Sequence, residues 1–97
     1  MRSTRMLVGR LTSDDDELDV AYADVFVVVR EGETGPGAND WEVTVTSQEP
    51  HRLEPGSHEL VFETLEGERL TGRALLRFSD GHRHLFRGDG TLVGYTD

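Results

Sequence analysis

Apolar and polar residues alternate with period two along most of this chain, and almost nowhere do they recur at the helical spacing of 3.6. Successive side chains on a strand point to opposite faces, so such alternation specifies half-buried strands. The run Trp41 to Thr46 is the clearest case: Trp41, Val43 and Val45 fall on one side, Glu42, Thr44 and Thr46 on the other. Strands are expected at about 5–12, 19–30, 40–48, 59–65, 68–78, 82–87 and 91–96, with no helix longer than a turn. The second is rich in β-branched residues (Val20, Val25, Val27, Val28, Val29). The fold expected is all-β: a small antiparallel sandwich or partly open barrel of about seven strands, ending in a four-stranded meander. Gly72 and Gly94 on the inward face favour the barrel, because they permit sharp curvature or close strand approach.

Breakers divide the strands. Thr12 to Glu17 reads as a solvated acidic loop, and Glu31 to Asp40, with three glycines and Pro36, as a hairpin loop. The longest irregular connection is Pro50 to Gly56, between three N-terminal and four C-terminal strands. In the meander each turn ends in an acidic residue and glycine: Glu66-Gly67, Asp80-Gly81 and Asp89-Gly90. Two-residue loops would mix Leu60 and Phe62 with Arg69 and Arg73 on one face. Three-residue loops closed by a left-handed glycine instead pair Phe62 with Leu70, Leu76 with His84, and Phe86 with Leu92. Burying five or six large apolar groups contributes on the order of 10 kcal/mol, so the second register is expected.

At 97 residues the chain has room for one β domain, 1–97. Its longest apolar run, Val25 to Val29, is far too short to span a membrane as a helix. The absence of cysteine excludes disulfides and thiol chemistry and fits a cytoplasmic location. A net charge of −9 argues against general nucleic-acid binding. There is no lysine, so every cationic side chain is an arginine, whose planar fork suits ion pairs and interfaces.

Two constellations stand out. The three-residue register places Arg69, Arg73, Arg77, Arg83 and Arg87 on the side away from the core, interleaved with Leu75, Leu85 and Val93 and close to Tyr95. An apolar stripe rimmed by arginine and tyrosine has the composition of a protein-contact surface. The other is His82-Arg83-His84, whose imidazoles at i and i+2 would share one side of a strand. The pair resembles the His-x-His motif of cupins. That motif requires a glycine six positions before the first histidine, where Leu76 stands, and a glutamate four or five after the second, where Gly88 and Asp89 stand. No metal or other cofactor is therefore expected.

Weaker patterns resolve into turns and solvated charge. Counting from Asp14, an EF-hand requires a glycine sixth and a glutamate twelfth, but Asp19 and Val25 occupy those places. Ser57-His58-Glu59 and Ser79-Asp80 with His82 hold nucleophile and base residue types but lack a nucleophile elbow. Gly88-Asp89-Gly90 precedes no helix that would receive an anion. Trp41 reads as a core anchor.

The leading expectation is a non-enzymatic interaction module that self-associates or docks a protein partner, its arginine-rich face taking an acidic or apolar surface such as the acidic N-terminal half of another copy. The alternatives are a ligand-binding or enzymatic barrel with a pocket of Trp41, Phe78, His82, His84 and Phe86, and a structural assembly subunit.

Overall fold

The computed structural model describes residues 2–30 and 39–95. Among them are seven strands: β1 (Arg2–Ser13), β2 (Asp16–Leu18), β3 (Val20–Val29), β4 (Asn39–Ser47), β5 (Gly56–Thr64), β6 (Arg69–Ser79) and β7 (Arg83–Gly88). They form one antiparallel sheet in the order β2-β1-β3-β4-β7-β6-β5, and β1 pairs back onto β5. Six strands thus close into a barrel, with β2 as an extra strand on the outside of the ring. The architecture is all-β, and of the two expected forms it is the barrel, closed rather than partly open. Among the described residues no helix is long and apolar enough to cross a membrane. The expected loop at Glu31 to Asp40 lies outside the described residues over 31–38, and Asn39 already begins β4.

One strand makes closure possible. The first half of β1 pairs with β3 (Arg2↔Val29 through Leu7↔Asp24), and the second half pairs with β5 (Val8↔Thr64 through Ser13↔Leu60). The pairing to β5 shifts register between Val8 and Arg10, and a bulge there bends the strand from one partner to the next. Gly9 lies in that bend, where a Cβ would stand 3.0 Å from Leu65 Cδ2.

The acidic run is a hairpin rather than a free loop. Ser13 pairs with Asp16 across a two-residue turn, and Asp14 and Asp15 both have positive φ, 50° and 70°. That is the mirror-image turn matching strand twist, and aspartate tolerates its left-handed conformation better than most residues. The Asp14 N–H donates to the Glu59 carbonyl at 2.9 Å, and the Glu59 N–H returns a bond to Asp14 Oδ1 at 2.8 Å.

The meander holds in its first turn and breaks in the next two. Phe62 faces Leu70 as expected. Between β6 and β7, however, Leu76 faces Phe86 and Ser79 faces His84, with a register shift between Leu76 and Phe78. The turn is longer because Asp80 Oδ1 accepts the amides of both His82 (3.0 Å) and Arg83 (2.7 Å). The last expected strand, 91–96, is not a strand over its described residues, 91–95. The edge of β7 on which it would pair is occupied by β4 (Val43↔Phe86), which is what closes the barrel. Instead Val93 bridges to Thr71 beyond the end of β7, and Leu92 is buried in the barrel end.

Glycine serves this segment through space and conformation together. Gly94 has φ +96°, and a Cβ there would lie 2.5 Å from the Arg69 carbonyl oxygen. Gly94→Ala is therefore expected to cost about 1–3 kcal/mol and to release the Val93–Thr71 bridge. Faster exchange of the Thr71 and Val93 amides would report it.

Inside the ring sit Val8, Leu11, Ala23, Val25, Val27, Val43, Val45, Leu60, Phe62, Leu70, Ala74 and Phe86. Trp41 closes one end. Its indole lies against Gly72 and Gly88, its Nε1–H donates to the Gly90 carbonyl at 3.0 Å, and its ring packs on Phe62 with centroids 6.2 Å apart.

Candidate functional site

The strand phase of β6 and β7 sorts charge from core. Leu70, Gly72 and Ala74 on β6, and His84 and Phe86 on β7, point into the barrel. Arg69, Arg73, Leu75 and Arg77 on β6, and Arg83 and Arg87 on β7, are exposed on its outer wall, with Leu85 half-buried between them. A closed barrel has no second sheet to cover this face.

The wall differs in membership from the surface expected. Phe78, expected in a pocket, is thrown outward by the β6 bulge and is 49% exposed beside Leu85, its cross-strand neighbour. Val93 is exposed too, but it opposes Thr71, so Arg73 separates it from Leu75. Tyr95 is half-buried and packs against the core. The contiguous surface is therefore Leu75, Phe78 and Leu85, framed by Arg73, Arg77, Arg83 and Arg87.

Cross-strand neighbours set its electrostatics. Glu42 stands opposite Arg87, Glu59 opposite Arg73 and Glu63 opposite Arg69. Arg83 faces only Thr46 on β4. Among the described residues none of the five wall arginines has a carboxylate within ion-pair distance, whereas Arg5, Arg10 and Arg30 are paired with Asp24, Glu17 and Asp40.

The five residues of the proposed pocket do not converge. Trp41, His84 and Phe86 are core residues, while Phe78 and His82 are exposed. The His82-Arg83-His84 pair is split because His82 lies in the turn and His84 on β7. The His82 ring reaches the Ser47 carbonyl at 3.3 Å, and the His84 ring enters the barrel. Among the described residues no three His, Asp or Glu side chains gather as a metal site requires.

All four histidines nevertheless lie at one barrel end, where the β1–β2 turn, the β4–β5 connection and the β6–β7 turn meet. His51 bonds the Asp19 carboxylate, which also accepts the Glu49 amide. The bond from His51 holds the Asp19 carboxyl below its ordinary pKa. His58 is buried; its Nε2–H donates to the Glu54 carbonyl at 2.6 Å, and its Nδ1 lies 2.8 Å from the Ser13 hydroxyl and 3.0 Å from Asp14 Oδ2. Ser13 is itself buried and unreachable by a substrate.

Ser79 is exposed, with Oγ 2.8 Å from His84 Nδ1, so serine and histidine are placed as nucleophile and base would be. The base is the weak member. Burial pushes the His84 imidazole below its ordinary pKa, with nearby His51 acting in the same direction against Asp80. Its buried Nε2 has no hydrogen-bond partner among the described residues. Taking a proton from Ser79 would create an imidazolium in the core with one N–H unbonded, a costly arrangement. These contacts tie loops together. They were not legible in the sequence because their partners are 5 to 45 residues apart, on three different turns.

Comparison with family models, with curated proteins and with solved structures gives no match.

Proposed function

We propose that the barrel is a non-enzymatic docking module whose β6–β7 wall takes an acidic, partly apolar segment of another protein. One observation carries this reading: exposed arginines without ion-pair partners among the described residues surround Leu75 and Phe78, on a chain whose net charge is −9. Aromatic and arginine side chains are the usual anchors of protein interfaces, and local positive charge steers an acidic partner toward them.

A second copy is the poorer occupant of this wall. Isologous pairing sets arginine against arginine. Docking the acidic β1–β2 turn of another copy is heterologous, and it leaves one wall unfilled unless a ring closes. We place the module in the cytoplasm, since a chain without cysteine loses nothing in a reducing compartment.

The test titrates two labelled peptides, one alternating Glu and Leu and one alternating Arg and Leu, against the protein. The acidic peptide is expected to bind, more weakly as salt rises. Replacing both Arg77 and Arg83 with Glu is expected to weaken it roughly tenfold or more without moving the thermal midpoint. Equal binding of both peptides, or indifference to the charge reversal, overturns the reading.

A further inference from the structure

A second surface, independent of the arginine wall, lies on the opposite strand of the ring. Residues Arg2 to Met6 of β1 pair with β3, and β5 joins β1 only from Val8 onward. Among the described residues no strand pairs with the β5 side of Ser3 to Met6. Its exposed groups can be named. The Leu7 carbonyl accepts the Leu65 N–H at 3.0 Å, so the Leu7 backbone points toward the β5 side. Backbone direction alternates along an antiparallel strand, which sends the N–H and C=O of Ser3 and Arg5 to the same side. Those of Thr4 and Met6 face β3.

The edge also lies beside a groove. β5 ends at Thr64, and the space that its continuation would have filled is walled by Thr64, Leu65, Glu66 and Glu68. Leu7 and Leu65 are 47% and 67% exposed there. Charged side chains commonly guard such edges, but the Arg5 guanidinium is drawn back across β3. It bonds Asp24 Oδ2 at 2.9 Å and lies over the Phe26 ring at 5.2 Å.

We infer that β1 pairs edge to edge with β1 of a second copy, forming a two-fold dimer through the backbone of Ser3 and Arg5. The register follows from charge and complementarity. An axis through Thr4 puts Ser3 opposite the second copy's Arg5, so each residue both donates and accepts. It also sets the two threonines side by side, a favourable cross-strand pair. The neighbouring register would place Arg5 against its own copy, with like charges opposed. This contact is isologous and closed, unlike any self-docking of the arginine wall.

Sedimentation across a concentration series, at low and high salt, tests the pairing on the full chain without an N-terminal tag. The expected mass is that of two chains at high micromolar concentration in both salts, because backbone pairing is little screened. Ser3→Pro removes an N–H that serves no internal ladder and is expected to give one-chain mass with an unchanged circular dichroism spectrum. The Arg77 and Arg83 reversals are expected to leave the dimer intact, which separates this contact from the docking reading. Amide exchange supplies a readout that does not depend on any variant. Ser3 and Arg5 amides should gain protection as concentration rises, while Thr4 and Met6 stay protected throughout. One-chain mass at the highest concentration, or a dimer in which Ser3 and Arg5 exchange freely, overturns the inference.

Discussion

Trp41→Ala is expected to be the most destabilising single change in this barrel, costing about 3–5 kcal/mol. The side chain is 2% exposed, packs on Phe62, and satisfies the Gly90 carbonyl that begins the C-terminal segment. Truncation leaves a cavity over Gly72 and Gly88, where the indole lies. For a chain of this length the thermal midpoint falls by roughly 15 °C or more. The slot can also be attacked from the other side. A Cβ on Gly88 would lie 2.3 Å from Trp41 Cε2 and Nε1, a clash with a rigid ring rather than a flexible chain end. Gly88→Ala is expected to cost about 1–3 kcal/mol or more in the native protein, and much less once Trp41 is leucine. Urea unfolding of the two single variants and the double variant measures that coupling. Additive costs would mean that the indole and Gly88 do not share the slot.

Acid is expected to destabilise the fold well above the carboxylate range, through His84. Its imidazole is pushed below its ordinary pKa by burial, so the unfolded chain binds that proton more readily than the folded one. Stability therefore rises with pH wherever the unfolded state carries more protons. The contribution is complete above about 6.5, the ordinary histidine value, and is lost as pH falls below it toward the folded pKa. Asp19 and Asp80 act elsewhere. Hydrogen bonds from His51 to the first, and from the Arg83 and His82 amides to the second, lower their pKa values from 3.8. Their stabilisation persists above that value and disappears only in stronger acid. His84→Leu replaces the ring with an apolar group of similar size and removes a buried nitrogen without a partner among the described residues. It is expected to match or exceed the native protein in stability at pH 7.5, and to flatten the loss between pH 7 and 5 seen by urea unfolding. An unchanged slope in the variant would assign that loss to other groups.

Both results concern places where local pattern and global closure disagree. Trp41 was legible as a core anchor, yet its slot was not. Gly72 and Gly88 read as a curvature point and a turn, and only the barrel brings them under one ring. The outward phase of Arg69, Arg73, Arg83 and Arg87 was legible because alternation survives whatever partner a strand finds. Phe78 was misplaced because the bulge before it depends on how Asp80 caps a four-residue turn, a choice that burial arithmetic does not see. The histidine end was invisible for a related reason, since its members come from three turns that meet only when the ring closes.

Alternation by itself determined that this chain is a set of antiparallel strands, which residues of the meander face inward as far as the β6 bulge, and that five of its ten arginines share one outer wall. Those are short-range consequences of a period-two backbone and the burial of apolar side chains. Tertiary structure alone decided that β1 joins both β3 and β5, that β4 takes the edge the last hairpin would have used, and that among the described residues no strand pairs with the β5 side of Ser3 to Met6. Strand partnership is a long-range choice settled by which edges remain open once the others are paired, and no local pattern records that.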